Sequence, residues 1–552
     1  MRITKDIITR YVAFFSIIIG FFMVMLDSTI VNITLPVMIR FFNTDLETIS
    51  WVVNGYNLAF AVLLLTGSRL ADQFGRKRVF IIGIIFFTIT SFLAALSPTV
   101  DMLIFFRVLQ GLSGALLVPV SMPLIIALFP PSKSGMIIGI WGGVAGIAAA
   151  SGPALGGIIG EYANWQWIFL INVPIGIFAL SVIPLLVKES FDPTASKKID
   201  WFGMIFLSIA MFTVTLGLIQ ANDKGWSSAY IITLFIISIC CFIVFLFIEK
   251  KISEPMLPMV LFKNIYFLTT NISLMMLGAA LMCGVFFTSY FLTQVKEFSQ
   301  LKAGLIVTAY PAATIFFSAL SGAFSDKTGS RFFAFPGSIL ICISLFFMSG
   351  LSPQSSVTDI IIRLAFCGSA IGLTFPPIVS ASVRATPPDK IGMASAVGNV
   401  SRTLGAILGV ALLVTTVTHF AQKRVITAQL EASEMIMSSS VFLKEVKDTL
   451  ATNLTSAKFS KDSKLPTEQE IIRHFEERRE TALKKTPDMM KGAVSKVYEK
   501  QIAETSRVYG VVKASFLHQF SSAFSDTYKL SALVLIVGIF AAFFSEPFRK
   551  KH

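Results

Sequence analysis

The chain of 552 residues contains 54% hydrophobic and only 14% charged residues, and its mean hydropathy is +0.75. Because soluble proteins average about 25% charged residues, this composition excludes an ordinary soluble enzyme and is typical of a polytopic helical membrane protein. The net charge of +14 has two readings. On a soluble protein it would favour nucleic-acid binding, whereas on a membrane protein it reflects Lys and Arg on cytoplasmic loops.

Fourteen segments are long and apolar enough to cross a membrane, for which about 20 residues are needed. We expect the first to be an uncleaved span, since its apolar run continues beyond the length of a signal peptide. In chain order the predicted spans are 11–35, 49–70, 79–97, 101–124, 135–159, 167–187, 201–221, 229–248, 265–292, 303–324, 333–351, 358–382, 392–418 and 529–546.

The basic residues predict how these spans are oriented. If the N-terminus is cytoplasmic, the inside segments hold 21 Lys and Arg, and the short outside loops hold only Arg40, Lys224, Lys296 and Lys302. Such a bias places a multi-pass protein in the cytoplasmic (inner) membrane of the cell with both termini inside. The excess charge is therefore an orientation signal, and we expect no nucleic-acid partner.

Residues 420–528 differ from the rest because they are polar, with 17 Lys and Arg against 14 Asp and Glu. The fourteen-span topology places them outside the cytoplasm, where long segments are largely exempt from the charge rule. Apolar residues at helical spacing, such as Val494, Val497 and Tyr498, predict amphipathic helices that extend the last two spans. This insert is either a solvated cap or a surface that docks an extracytoplasmic partner.

Two short loops share one pattern. Asp72, Gly75 and Arg76 lie between spans 2 and 3, and Asp326, Gly329 and Arg331 lie between spans 10 and 11. The glycine permits a tight basic turn, and the carboxylate can accept hydrogen bonds from the arginine or lie against a helix N-terminus. Copies at corresponding positions indicate an internal duplication, as in transporters built from two six-helix halves.

Two charged residues within the predicted spans stand out. Arg107, in span 4, costs on the order of 2.5–3.5 kcal/mol in hydrocarbon, so it is expected to face the protein interior. Asp27, in span 1, is the one acid placed well inside a span. A carboxyl group in a low dielectric could bind and release a proton; the alternative is a structural salt bridge to Arg107 or another cation.

Span 5 is rich in small residues, which allow helices to approach closely, and it contains a proline that would bend it. This composition predicts either a hinge or a passive packing contact. The positions concerned are Gly143, Gly152, Pro153, Gly156 and Gly157.

Together these motifs resemble the major facilitator superfamily. The segments LDSTIVNITLP (26–36) and WQWIFLINVPIG (165–176) and the fourteen spans are similar to its fourteen-helix drug:proton antiporter branch. The chain departs from the family pattern at Ser68 and Cys367, where glycine is usual. The resemblance implies an all-α fold with two six-helix bundles and two inserted helices. The domains are then 1–190, 191–263, 264–419 with 529–552, and the helical insert 420–528.

The resemblance further implies efflux of hydrophobic or cationic drug-like compounds in exchange for protons, by alternating access. Asp27 and Arg107 would couple the proton, the two loop motifs would form the cytoplasmic gate, and span 5 would carry the antiporter motif. The alternative is an exporter of one metabolite, such as a siderophore, lipid or amino acid.

The sequence also suggests what the protein works with. No Gly-Lys pair occurs, so a P-loop is excluded and the proton gradient is expected to supply the energy without a cofactor or metal. We expect a monomer whose partners are small hydrophobic or cationic substrates and membrane lipid, apart from any extracytoplasmic partner of residues 420–528. A membrane receptor or enzyme is the remaining alternative; the positions of all four histidines, outside the spans or at their ends, argue against an enzyme. Polar candidates for the substrate cavity are Asn54, Asn57, Gln110, Gln220, Asn271, Tyr310 and Asn399.

Overall fold

The computed structural model describes residues 2–130, 133–191, 200–252, 259–387, 390–439, 441–442, 447 and 468–547. Throughout these ranges every regular element is a helix, as expected in hydrocarbon, where a helix satisfies its own backbone hydrogen bonds. The first nine helices are α1 (Arg2–Phe42), α2 (Leu46–Phe74), α3 (Arg76–Ala95), α4 (Val100–Ile126), α5 (Ser134–Tyr162), α6 (Trp167–Leu170), α7 (Asn172–Leu186), α8 (Trp201–Lys224) and α9 (Ala229–Lys251).

The second part of the chain continues in the same way, with one π-helical turn, Cys283–Phe287, inside the span that α11 begins. The remaining helices are α10 (Met259–Lys263), α11 (Ile265–Met282), α12 (Thr288–Gln294), α13 (Gln300–Val307), α14 (Ala309–Thr328), α15 (Arg331–Met348), α16 (Val357–Arg384), α17 (Ile391–Ser438), α18 (Glu468–Lys485), α19 (Asp488–Val534) and α20 (Ile536–Phe543).

The helices confirm the predicted membrane fold. Thirteen segments in the described residues are long and apolar enough to span a bilayer, and each coincides with a predicted span. The remaining predicted span, 135–159, coincides with α5, whose apolar stretch Met136–Ala148 is shorter. Helix α9 exposes many large apolar side chains, including Ile236, Ile239 and Phe247, which is a surface that lipid rather than water would cover.

Side-chain caps define where several helices begin. Asp45 Oδ1 accepts from the Thr48 amide at 2.8 Å, and Thr99 Oγ1 accepts from the Met102 amide at 3.3 Å. Ser356 caps α16 in the same way. Each cap satisfies a backbone donor that the first helical turn leaves free.

The two halves of the transmembrane region repeat the same neighbour relations. In the first half, α2 and α3 both pack on α4, and α3 also packs on α7. In the second half, α14 and α15 both pack on α16, and α15 also packs on α20. Helices α8 and α9 pack on each other, and α8 contacts α2. This repetition is what an internal duplication with two inserted helices produces.

The chain divides into two compact units, of which the first comprises Met1–Met348, Ser356–Leu413 and Lys529–His552. The second comprises Ser349–Ser355 and Val414–Tyr528. In this second unit, the outer part of α17 packs with α18 and α19 around buried apolar side chains, including Ile436, Phe475 and Val508. The predicted extension of the last two spans is observed, since α17 and α19 continue without a break into this unit.

Candidate functional site

Asp27 and Arg107 form an ion pair in the interior of the first half. Arg107 Nη1 donates to Asp27 Oδ2 at 2.5 Å, and both side chains are fully buried. Helix α1 supplies the acid and α4 supplies the base. The two charges are the costly ones that the sequence predicts inside spans, and pairing offsets part of that cost.

Neutral groups add further hydrogen bonds to the pair, although Arg107 Nη2 has no partner among the described residues. Asp27 Oδ1 accepts from Gln110 Nε2 at 3.1 Å and from Asn172 Nδ2 at 2.9 Å. Arg107 also donates to Gln110 Oε1 at 2.8 Å and to the Val52 carbonyl at 3.0 Å. The guanidinium lies 4.2 Å from the centroid of the Tyr56 ring, close enough for a cation–π interaction.

The network therefore joins most helices of the first half. Its members come from α1, α2, α4 and α7, and Asn172 Nδ2 also donates to Ser91 Oγ on α3 at 3.0 Å. A change in the protonation of Asp27 would alter hydrogen bonds on all these helices at once. Asp27 lies near the end of the apolar stretch Ile8–Val31, about 6 Å along the helix from Val31 at 1.5 Å per residue.

The glycines of α5 allow close approach to two other helices. A Cβ on Gly152 would lie 3.0 Å from the Ile30 amide nitrogen and closer still to Thr29, which is two residues from Asp27. A Cβ on Gly157 would lie 3.1 Å from Leu301 Cα on α13. Gly143 faces α14 at ordinary contact distance, 3.6 Å from Ile315.

Two further positions of the predicted antiporter motif complete this account. Gly156 is buried in α5. Pro153 lies in the same helix, but its side chain is outside the described residues. Since α5 packs on α1 as well as on α14, it is a shared element between the Asp27 network and the second half.

The first loop motif forms a compact turn between α2 and α3. We call the end of the helices that carries the α2–α3 and α14–α15 turns the basic end. Asp72 and Arg76 are paired at 2.8 Å. Gly75 has φ 108°, which side chains rarely adopt. Glu189, just after α7, accepts from the Lys77 amide at 2.9 Å, where a carboxylate stabilises the N-terminus of α3.

The second loop motif repeats this arrangement. Gly329 has φ 96°, and Glu546 Oε2, just after α20, accepts from the Ser330 amide at 2.8 Å at the start of α15. Arg384 pairs with Glu546 at 3.4 Å. The Arg331 guanidinium lies 5.4 Å from the Phe543 ring centroid. Asp326 lies in α14, but its side chain is outside the described residues.

A cavity of about 20 Å³ lies where both halves meet. Trp141 on α5 and Phe375 on α16 form its walls, with ring centroids 6.4 Å apart. Asn399 and Arg402 on α17 line it. Such a volume holds about one water molecule, so a drug-sized compound would require the halves to separate.

The other polar candidates are dispersed. Gln110 belongs to the Asp27 network, whereas Asn271 accepts from Ser401 Oγ at 3.3 Å, next to the cavity. Tyr310 is buried between α11 and α16, where a Cβ on Gly368 would collide with its carbonyl. The three others are partly buried on helices away from this cavity: Asn54 and Asn57 on α2, and Gln220 on α8.

Sequence reasoning missed four residues that the structure brings into these sites. Asn172 lies inside the motif at 165–176 and could have been found as a polar residue in an apolar run. Arg402 lies inside a predicted span and meets the criterion that singled out Arg107. Glu189 and Glu546 each follow the last helix of a half, and only this equivalence of position could have indicated them.

Known proteins are similar to this chain in sequence. The family model of the Major Facilitator Superfamily matches residues 17–410. Multidrug resistance protein 3 of Bacillus subtilis (strain 168) is 32% identical over 419 residues, which cover 75% of this chain and 81% of that protein. The tetracenomycin C resistance and export protein of Streptomyces glaucescens is 31% identical over 398 residues, covering 72% and 74%.

A relative named for a different substrate has a similar sequence identity to this chain. The riboflavin transporter RibZ of Clostridioides difficile (strain 630) is 32% identical over 406 residues, covering 73% of this chain and 87% of that protein. The predicted resemblance is thereby confirmed, and residues 414–528 lie beyond the matched region. The chain belongs to the Major Facilitator Superfamily, in which it is similar to multidrug resistance transporters.

Proposed function

We propose that this protein exports hydrophobic drug-like compounds across the cytoplasmic membrane in exchange for protons, by alternating access. The observation that carries the proposal is the fully buried Asp27–Arg107 pair, hydrogen-bonded to Gln110 and Asn172. An intramembrane ion pair is expensive to keep. This membrane protein would retain such an ion pair because its carboxylate must be neutralised and re-ionised during each transport cycle.

The cycle follows from the contacts of the pair. When the outer side is open, a proton binds an Asp27 carboxylate oxygen and neutralises the partner of Arg107. The guanidinium then keeps the Val52 carbonyl and Gln110, which it already contacts. On the inner side Asp27 releases its proton as the pair re-forms, and substrate enters between the halves.

The same proposal assigns the surroundings. The basic end is the cytoplasmic end, both termini are cytoplasmic, and the turns with Asp72 and Asp326 form the inner gate together with Glu189 and Glu546. The protein acts as a monomer, without cofactor or metal, and it is a transporter rather than an enzyme. Residues 420–528 form an extracytoplasmic cap that can meet an outside partner.

A second candidate function is the export or uptake of a single metabolite. It is supported by one relative, which is named a riboflavin transporter. Transport of one compound to the exclusion of a panel of unrelated hydrophobic compounds would favour this candidate. Transport of several unrelated compounds by the same cavity would favour drug export.

The test is transport by purified protein in liposomes with an imposed pH gradient. Asp27→Asn is expected to lower gradient-driven transport at least tenfold. Substrate exchange measured in the absence of a gradient should be unchanged. Asp101→Asn, an exposed acid in the first turn of α4, is the matched control and should behave as wild type. Undiminished gradient-driven transport by Asp27→Asn would remove Asp27 from the mechanism.

A second variant separates coupling from stability. Asp27→Asn leaves Arg107 buried without its counter-charge, which costs about 3–5 kcal/mol. Adding Arg107→Met removes the orphaned charge, so the double variant should regain most of the thermal stability but none of the coupling. Recovery of gradient-driven transport in the double variant would show that the pair is only structural.

A further inference from the structure

Arg402 is a cation inside the membrane region that the Asp27 network does not include. It lies on α17 about 17 Å along the helix from Ile391, at 1.5 Å per residue, and so within the hydrocarbon. In the part of the chain that the structure describes, its one hydrogen bond is a long one, 3.5 Å from Nη2 to Asn399 Oδ1. Arg107 by contrast has an acid, an amide and a carbonyl.

The surroundings of Arg402 form a site rather than a packed core. Among the residues that the structure describes, none that lines the cavity is acidic. Ser382, which also lines the cavity, is buried, and its Oγ has no hydrogen-bond partner among the described residues. A guanidinium whose hydrogen bond to Asn399 is long, beside a hydroxyl without a partner among the described residues, offers donors to a ligand in this cavity.

The apolar walls indicate what the rest of the ligand would be. Trp141, Phe375 and Met122 face the same cavity, and the two aromatic rings are nearly parallel, with 17° between their planes. The lining residues come from both halves, α4 and α5 of the first and α11, α16 and α17 of the second. A flat apolar group would therefore lie between halves that move relative to each other.

We propose that Arg402 is the substrate's anchor and that the exported compounds are amphipathic anions. A carboxylate, sulfonate or ionised phenol would pair with the guanidinium while the apolar body lies against Trp141 and Phe375. The physical basis is that a partly buried guanidinium gains most from an anionic partner with two acceptor oxygens. A lipophilic cation would meet like charge in the same place, which disfavours its binding. The inference rests on the proposed export function. It narrows the substrates from hydrophobic compounds in general to those that carry a negative charge.

The test compares two xanthene dyes of opposite charge, fluorescein and rhodamine 123, in liposomes with an imposed pH gradient. Wild type is expected to transport fluorescein faster than rhodamine 123. Arg402→Gln should reduce fluorescein transport at least tenfold and leave or raise rhodamine 123 transport, whereas Arg402→Lys should retain part of it. Arg473→Gln makes the same charge change on an exposed side chain of α18 and should behave as wild type.

A binding measurement guards against misfolding of the variant. Fluorescein should raise the thermal unfolding midpoint of wild type and not that of Arg402→Gln, because a ligand stabilises only the folded state that binds it. Without ligand, Arg402→Gln should unfold at the same or a higher temperature, since it removes a partly buried charge that has no acidic partner among the described residues.

The possible results separate the two proposals. If Arg402→Gln transports fluorescein as well as wild type, or if wild type prefers rhodamine 123, the anion inference is wrong and the export function stands. If wild type binds and moves neither dye, both the inference and the proposed export of hydrophobic compounds are contradicted.

Discussion

Two glycines on one face of α5 should respond to the same substitution with effects of very different size. A Cβ on Gly139 would lie 2.9 Å from the Ser318 carbonyl oxygen of α14, which is backbone and cannot rotate away. A Cβ on Gly143 would find its nearest neighbour, Ile315, at 3.6 Å. Gly139→Ala therefore pushes α5 and α14 apart near the basic end, whereas Gly143→Ala adds an ordinary contact.

The size of the effect follows from overpacking, which costs about 1–3 kcal/mol when an extra carbon enters a tight contact. If this cost falls only on the state in which α5 and α14 are in contact, the open state gains about fivefold to 150-fold in relative population. Gly143→Ala should change the relative population of the open state less than twofold, which corresponds to less than about 0.4 kcal/mol.

The assay reports the opening directly. A cysteine at Asn399, which lines the cavity, is introduced into a chain whose five native cysteines are replaced. Its labelling by an impermeant maleimide from the side of the basic end should be at least fivefold faster with Gly139→Ala than without it. Equal labelling rates for Gly139→Ala and Gly143→Ala would refute the claim that this contact holds the basic end closed.

Two further predictions concern the turns at the basic end. Gly75→Ala should lower the thermal unfolding midpoint more than Gly329→Ala. Both substitutions add backbone strain of about 1–3 kcal/mol. They differ because a Cβ at Gly75 would lie only 2.6 Å from the Glu189 carboxyl carbon, whereas one at Gly329 would lie 3.2 Å from Glu546 Oε2. Equal midpoints would contradict this. Glu546→Gln should cost about 1 kcal/mol through the lost charge at the N-terminus of α15 and the partly exposed pair with Arg384, an effect that shrinks in high salt. A loss unchanged by salt would show that the cause is not electrostatic.

The spans could be predicted because their cause is local. Bilayer thickness sets the length of an apolar run, so counting residues located every helix in the described residues that is long and apolar enough to span a bilayer. The membrane cost of a charge likewise drew attention to Asp27 and Arg107 before their contact was known. Both arguments use only the residue type and its position along one span.

The partners of these residues depend on tertiary placement and could not be predicted in this way. Nothing in the sequence near Asp27 indicates that Asn172, 145 positions away, donates to it. The loop motif suggests an acid against a helix N-terminus, but the carboxylate observed at the start of α3 belongs to Glu189, which reaches it from beyond α7. A capping contact within one turn can be predicted from spacing, whereas one between distant helices requires the packing.

Helix α5 packs on the helix that carries Asp27 and also lines the cavity, and this makes its glycines more than a packing device. At one end, Gly152 lies against Thr29, in the helix that carries Asp27. Further along, the Trp141 ring stacks on Phe21 of that same helix, with centroids 4.5 Å apart, and on Phe375 of the second half. In the proposed cycle, a shift of α1 after Asp27 is neutralised would therefore displace α5, because close-packed helices cannot absorb it by compression. Trp141 would move with α5, and so would the wall of the cavity beside Arg402.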